Sequence, residues 1–352
     1  MPPKVALVTG VSQLLGGRLA ARLAADPDIE RVIGVDTAPP GRDLVGQLGR
    51  TEFVRADIRN PLIAKVIAAA RVDTVVHMSI TSSPGQAGGR VPMKEMNVIG
   101  TMQLLAACQK SAFVRRLVVK SSTAVYGASH RDPAMFTEET EPRGPLRTSY
   151  GKDSAEIEGY VRGFGRRRPD VAISMLRFTN IIGPHVDSPL TRYLSLAVVP
   201  TLLGYDPRIQ LLHEDDALET LRLAALDDRP GTYNVAGDGI LVLSQAIRRA
   251  GRVNVAVPEL AMNLVADIGR RAKLISFSPE QVRFLHYGRV VDCTRLKREF
   301  GYTPKYTTAQ AFEDFLQSGT VRSIIDPGLV SGIERTLVGL LGGPQPRGLG
   351  HG

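Results

Sequence analysis

Apolar and polar positions along the first two hundred residues alternate between two rhythms. Short apolar runs bounded by turn residues occur at Val5–Val8, Val32–Val35, Phe53-Val54, Thr74–Val76, Leu117–Val119 and Ala172–Arg177. Between them lie helical patterns: one leading out of Gly10–Gly17 to Ala25, then 61–70, Met93–Lys110, and a stretch after Tyr150. Strands that are apolar on both faces and separated by helices predict a parallel sheet covered on both sides, a doubly wound α/β (Rossmann) fold. After about residue 180 the rhythm loosens. Pro184, Pro189, Pro200 and Pro207 interrupt it, Gly231–Val235 reads as a strand, and 244–250, 259–270 and 308–317 read as helices. The pattern divides the chain into a Rossmann domain over 1–180 and a smaller α/β substrate-capping domain over 181–320, some of whose segments return to the sheet. A helix and flexible tail follow over 321–352, with Val330, Ile333, Leu337, Leu340 and Leu341 on one helical face.

Composition narrows the class. The 352 residues are 43% hydrophobic and 22% charged, an ordinary globular mix. Two cysteines, Cys108 and Cys293, cannot build a disulfide framework, and six scattered histidines give no metal-ligand spacing, so no metal is expected. No run of 18 apolar residues predicts a membrane span, and the N-terminal Met-Pro-Pro-Lys leads straight into a short strand rather than a signal segment. A cytoplasmic location is the expectation. The net charge of +9 favours anionic partners: nucleotide-bearing small molecules, acidic lipid surfaces or nonspecific polyanions. With no tryptophan and only short basic runs, nucleic acid is not expected. Leu260, Leu264 and Ile268 followed by Arg270, Arg271 and Lys273 leave open a peripheral contact with an acidic membrane, or a helix whose cations complement its own dipole.

The strongest local signal is Thr9-Gly10-Val11-Ser12-Gln13-Leu14-Leu15-Gly16 directly after the first strand. Glycines at a strand-to-helix turn let backbone approach a pyrophosphate at the positive end of a helix. Asp36, ending the second strand, stands where a carboxylate holds the adenosine ribose hydroxyls. It would repel a 2′-phosphate, so NAD is preferred over NADP.

Further markers follow in order: Asp57-Ile58, His77-Met78-Ser79, Asn97-Val98-Ile99-Gly100-Thr101, Ser121-Ser122-Thr123-Ala124-Val125-Tyr126-Gly127, Tyr150-Gly151-Lys152, Arg177-Phe178-Thr179-Asn180 with Gly183-Pro184, His213-Glu214-Asp215-Asp216, and Tyr233-Asn234-Val235. Together they resemble the extended short-chain dehydrogenases/reductases, the NAD-dependent epimerase/dehydratase group that includes UDP-galactose 4-epimerase, from Lys4 to about Phe315. The resemblance implies an NAD-binding protein acting on a nucleotide-diphosphate sugar, commonly as a homodimer. It assigns Tyr150 as the acid/base and Ser122 as the hydrogen-bond partner of the reacting oxygen. Asp57 and Ile58 would meet the adenine, Met78, Ser79, Asn97 and Ser121 would border the cofactor, Phe178 would lie near the nicotinamide, and Asn180 would reach the substrate.

Two positions depart from the family pattern. Gln13 replaces the middle glycine of the phosphate loop. Ser154 stands where the family places a lysine four residues after its tyrosine, a cation that holds the nicotinamide ribose and favours the phenolate. Lys152 is about 200° away around a helix and does not substitute for it. Lys120, two residues before Ser122 on one strand, shares its side of the sheet and is the candidate stand-in. The leading expectation is an epimerase or oxidoreductase working by transient hydride transfer. Dehydration is disfavoured, because Thr123 and Ala124 follow Ser122 where an acid is wanted. The alternative is a catalytically impaired dinucleotide-binding regulator of the same fold.

Overall fold

A computed structural model describes residues 3–82, 88–142, 146, 149–259 and 286–318. The helix expected at 259–270, its basic end, and the apolar stripe at 330–341 lie outside the described residues.

Six strands come from the first half of the chain: β1 (Val5–Thr9), β2 (Arg31–Asp36), β3 (Glu52–Arg55), β4 (Thr74–His77), β5 (Arg116–Ser122) and β6 (Ala172–Phe178). Four short strands follow, β7 (Asn180–Ile182), β8 (Val198–Leu202), β9 (Arg208–Ile209) and β10 (Leu211–His213), then β11 (Gly231–Val235), β12 (Leu241–Val242) and β13 (Val253–Val257). Strands β1 to β6 and β11 form one sheet in the order β11-β6-β5-β4-β1-β2-β3, every pairing parallel. β11, from the second half of the chain, is the edge strand of this sheet, beside β6.

The helices are α1 (Leu14–Ala24), α2 (Arg42–Val45), α3 (Leu62–Ala69), α4 (Arg90–Lys94), α5 (Gly100–Lys110), α6 (Ser149–Arg167), α7 (Pro189–Leu194), α8 (Glu214–Leu226), α9 (Leu243–Arg249) and α10 (Thr308–Gln317). A π-helical segment, Glu95–Ile99, joins α4 to α5, so the single helix expected over Met93–Lys110 is one continuous rod with a widened turn inside it. Strand alternation sends Ala6 and Val8 to one face, against Leu19 and Leu23 of α1 and Leu218 and Leu221 of α8. It sends Val5 and Leu7 to the other, against Ile63 and Ile67 of α3, Leu104 of α5 and Ile157 of α6. The two-sided burial explains why these strands read as unbroken apolar runs.

The remaining strands make three two-stranded sheets: β7 with β10, β9 with β12, and β8 with β13. A separate core lies beneath them, built on Tyr193, Leu211, Leu243, Ile247, Phe312 and Phe315. The strand order reverses between β1 and β4, which opens a crevice at their carboxyl ends, the place where doubly wound sheets bind ligands.

One surface expectation is corrected. Arg166–Arg168 reads in sequence as a solvated helix end, but Arg168 is tucked in. Its guanidinium donates to the carbonyls of Cys108, Ser111 and Val114 and pairs with Asp170 at 2.7 Å, capping the C-terminus of α5.

Candidate active site

The crevice at the sheet reversal opens into a cavity of about 800 Å³. Its floor at the cofactor-loop end is built from Gly10, Gln13, Leu14, Leu15 and Gly16. Gly10 has φ +76°, a conformation that favours glycine, and a methyl group there would crowd the backbone of Met78 and Ser79 at 3.1 Å. A methyl group on Gly16 would overlap the Gly10 carbonyl. Both glycines are therefore required for loop and helix to close on each other. Gln13 has extended backbone (φ −87°, ψ 149°) that any residue adopts, so its side chain costs the loop nothing in conformation. No side chain caps α1, and its first N–H groups are left for a ligand at the positive end of an 11-residue helix.

Asp36 and Thr37 border the cavity at the end of β2. The Asp36 carboxylate accepts hydrogen bonds from Ser12 N at 3.0 Å and Thr37 N at 2.7 Å, which fixes it at the mouth of the loop. Asp57 also borders the cavity, held by Arg59, whose guanidinium keeps the carboxyl below the usual carboxylate range against the opposing effect of burial. These groups fit an adenosine dinucleotide: a glycine cradle, an uncapped helix end, and a carboxylate at the ribose position.

At the far end Met78, Ser79, Lys120, Ser121, Ser122, Tyr150, Phe178 and Asn180 line the same cavity. The sequence separates Ser122 from Tyr150 by 28 positions, and the fold brings them together. Ser122 ends β5 and accepts from Ala124 N at 3.2 Å, so it both closes the strand and reaches the Tyr150 hydroxyl. Tyr150 sits in the first turn of α6. Burial pushes its phenol above the ordinary value, and Asp153 adds to this. Hydrogen bonding from Ser122 and Ser154 and the charge of Arg289 oppose it. Ser154 lies on the same face of α6, buried, its Oγ without a well-formed hydrogen bond, whereas Lys152 is exposed. Asp153 is buried against the guanidinium of Arg90, at 2.5 and 2.6 Å.

Ser12, Ile58 and Asn97 are not among the residues lining the cavity. Ile58 packs under Gly100 in the core, where a methyl on that glycine would stand 2.8 Å from it. Asn97, in the π-helical segment, is fully buried and bonded to Thr81 N at 3.0 Å and Thr81 O at 2.9 Å. The Ser12 hydroxyl donates to Ala38 O at 2.5 Å. Ser121 borders the cavity, but its hydroxyl donates to Glu158 at 2.7 Å, on the side of the buried network. His77, between Thr9 and Thr101 at 2.9 Å each, is pushed down to about 3 by burial and by the charge of Lys120. It is a neutral strut.

Lys120 is where strand alternation places it, beside Ser122 on the cavity wall. Its Nζ donates to Ile80 O at 3.3 Å, and burial lowers it to about 8. Two cavity residues had no local signal in the sequence. His185 donates toward Glu214 at 2.6 Å, a carboxylate that also holds Arg18 at 2.6 Å. Arg289 arrives from 111 residues beyond the end of β6 at Phe178, on a segment that bridges Ile209 and Phe136.

The chain belongs to the NAD dependent epimerase/dehydratase family, whose family model matches residues 6–236. An uncharacterized protein of Mycobacterium tuberculosis is 52% identical over 338 residues, spanning 96% of this chain and 90% of that one. Among solved structures, the UDP-glucose 4-epimerase of Thermotoga maritima with UDP-glucose superposes with a TM-score of 0.69 at 18% identity, covering 90% of this chain and 98% of that one. The UDP-glucuronic acid 4-epimerase of Bacillus cereus in complex with NAD gives 0.68 at 17%, covering 89% and 98%. At these identities the two structures establish the fold. Among the described residues no helix is long and apolar enough to cross a membrane, and no cluster of ligands would hold a metal.

Proposed function

We propose that this protein is an NAD-dependent epimerase or oxidoreductase acting on a nucleotide-diphosphate sugar. The observation that carries the reading is one cavity joining the glycine cradle and Asp36 to the Ser122–Tyr150 pair. A bound nicotinamide dinucleotide supplies the hydride acceptor and donor. Gly10, Gly16 and the N-terminus of α1 hold its pyrophosphate, Asp36 its adenosine ribose, and Phe178 closes the nicotinamide end. Tyr150 takes the proton of the substrate hydroxyl as the carbonyl forms, and Ser122 holds that oxygen in line. In an epimerisation Tyr150 returns the proton after the ketone has turned its other face. Asn180, at the start of β7 on the cavity wall, meets the substrate diphosphate or sugar, in keeping with the chain's positive charge. The segments of 181–320 that do not rejoin the main sheet form the cap over the substrate, and the protein works in the cytoplasm as a homodimer.

The test is to identify small molecules released from the purified protein, titrate NAD and NADP by calorimetry, and then follow UDP-sugars by chromatography. NAD binding, NADP binding at least about tenfold weaker, and interconversion of two UDP-sugars are expected. Failure to bind either dinucleotide sinks the reading.

Lys120 is proposed to hold the nicotinamide ribose in place of the missing lysine. Because burial lowers it to about 8, its charge is present at pH 7 and lost as pH rises through that value. The affinity for NAD is expected to fall on the order of tenfold between pH 7 and 9.5, a loss scaled to one charged hydrogen bond. Lys120→Met should show the weaker affinity throughout and no such pH dependence in the same calorimetric titration.

A second reading, a dinucleotide-binding regulator with impaired chemistry, is favoured by the buried, uncharged Ser154 at the lysine position. Single-turnover reduction of bound NAD by a sugar substrate separates the two.

A further inference from the structure

We propose that the guanidinium of Arg59 is the stacking platform for the adenine of the bound dinucleotide. The inference deepens the proposed function and rests on it for the presence of that cofactor. Where the base falls follows from the sheet. The strand order puts β2 beside β1, and β3 beside β2 at the edge. A dinucleotide whose pyrophosphate meets the glycine loop after β1, and whose ribose meets Asp36 at the end of β2, carries its base outward to the end of β3. Asp57 and Arg59 stand there, two and four residues past the last residue of β3, Arg55, and both line the cavity. Arg55, the other cation at this end, donates to Thr37 O at 3.0 Å and is not among the cavity residues.

The guanidinium is held by its edges. Nε donates to both oxygens of Asp57 at 3.0 Å, and Nη2 donates to Asp57 Oδ2 at 2.6 Å. Nη1 donates to Glu95 Oε2, in the π-helical segment, at 3.3 Å. Arg59 N also donates to Asp57 Oδ1 at 2.9 Å, so backbone and side chain grip one carboxylate together. The stem rests on the start of α5, where a methyl group on Gly100 would stand 3.6 Å from Arg59 Cγ. All three guanidinium nitrogens are thus taken by carboxylates, and the plane is fixed from two elements. Phosphate is a poor ligand for such a group, because Asp57 and Glu95 together outweigh its single charge and repel an anion. What the side chain still offers is its flat face, and it remains 35% exposed. In an adenine dinucleotide the part that matches a flat, edge-bound cation is the base, which has a π-face and no charge.

The test is a pair of calorimetric titrations, with NAD and with nicotinamide hypoxanthine dinucleotide, which keeps the double ring and carries oxygen in place of the 6-amino group. Arg59→Lys keeps a cation beside Asp57 and removes the plane, and Arg59→Ala removes both. Each variant is expected to weaken both dinucleotides by the same factor, about fivefold to tenfold, because stacking tolerates a change at the edge of the base. Wild-type affinity in Arg59→Lys would mean that the charge matters and the plane does not. A loss confined to NAD would mean that Arg59 acts only by aiming the Asp57 carboxylate at the 6-amino group. Either result overturns the proposal. Should Arg59→Ala fail to fold, Arg59→Lys alone decides among these outcomes. A wild-type protein that binds neither dinucleotide overturns the platform and the proposed function together. Binding that depends on Arg59 as expected, in a protein that converts no sugar, counts against the proposed function and leaves the platform standing.

Discussion

Replacing Tyr150 with phenylalanine is expected to lower turnover by about 10²- to 10⁴-fold, the usual contribution of a positioned acid/base, and to leave the affinity for NAD within about twofold. The phenyl ring keeps the packing of the first turn of α6 against the core and removes only the oxygen that Ser122 holds. The wild-type pH profile should carry the mark of the absent lysine. Burial holds the phenol above its ordinary value, and neither Ser154 nor Lys152 supplies a charge to reverse this. Activity that needs the phenolate then climbs about tenfold per pH unit from neutrality to about pH 9, rather than reaching a plateau near pH 7. Steady-state rates and NAD calorimetry on both proteins check the two statements. A Tyr150→Phe protein retaining more than about a tenth of wild-type turnover would remove Tyr150 from the chemistry.

The parts of this molecule that the chain announces locally are those fixed by short-range physics. The parallel strands are legible because both faces are buried, so Val5–Val8 or Leu117–Val119 need no alternation to be recognised. The phosphate loop is legible because a left-handed turn at Gly10 and the contact of Gly16 with the Gly10 carbonyl each demand glycine. Tyr150 and Ser122 are legible through family motifs, and Ser154 through helical spacing. Asn97, read from a family motif, stands one layer behind the cavity wall, its amide bonded to both backbone groups of Thr81, which lines the cavity. The Ile58 side chain packs under Gly100, a facing that its motif position alone does not announce. Arg168 hides its role because a basic run looks the same whether it faces water or the carbonyls of another helix. Arg289 and His185 had no signal at all. Each is brought to the cavity by pairings more than 25 residues away in sequence: Arg289 by its bridge to Ile209, and His185 by the Glu214 carboxylate.

Arg177→Met is expected to cost about 3–5 kcal/mol of stability, the larger part of what a domain has to lose, and to lower the thermal midpoint by roughly 5–15 °C. Arg177 leaves β6 into the protein beneath the site and is 8% exposed. Its fork grips the buried Glu158 of α6 at 2.9 and 2.7 Å, Nη1 donates to the Tyr126 hydroxyl at 2.8 Å and to Glu138 O at 2.9 Å, and the plane lies over the Tyr126 ring. Burial works against its charge, and the Glu158 carboxylate more than offsets that, so the guanidinium is held charged beyond its ordinary range. Removing Glu158 leaves Arg177 buried without a carboxylate, and removing Arg177 leaves buried Glu158 with only the exposed Arg162 at 3.3 Å and the Ser121 hydroxyl; either is costlier than removing both. The double variant Arg177→Met/Glu158→Met should therefore be less destabilised than the sum of its singles by about 1–3 kcal/mol in urea titrations. Arg177→Lys should rescue little, because an ammonium cannot replace a bidentate fork. The network reaches the chemistry as well: Glu158 holds the hydroxyl of Ser121 next to Ser122, and the Tyr126 hydroxyl donates to Asn234, which ties the turn after β5 to β11. Loss of turnover beyond loss of folded protein is the consequence, and a destabilisation below about 1 kcal/mol for Arg177→Met would mean that water replaces the fork at no great cost.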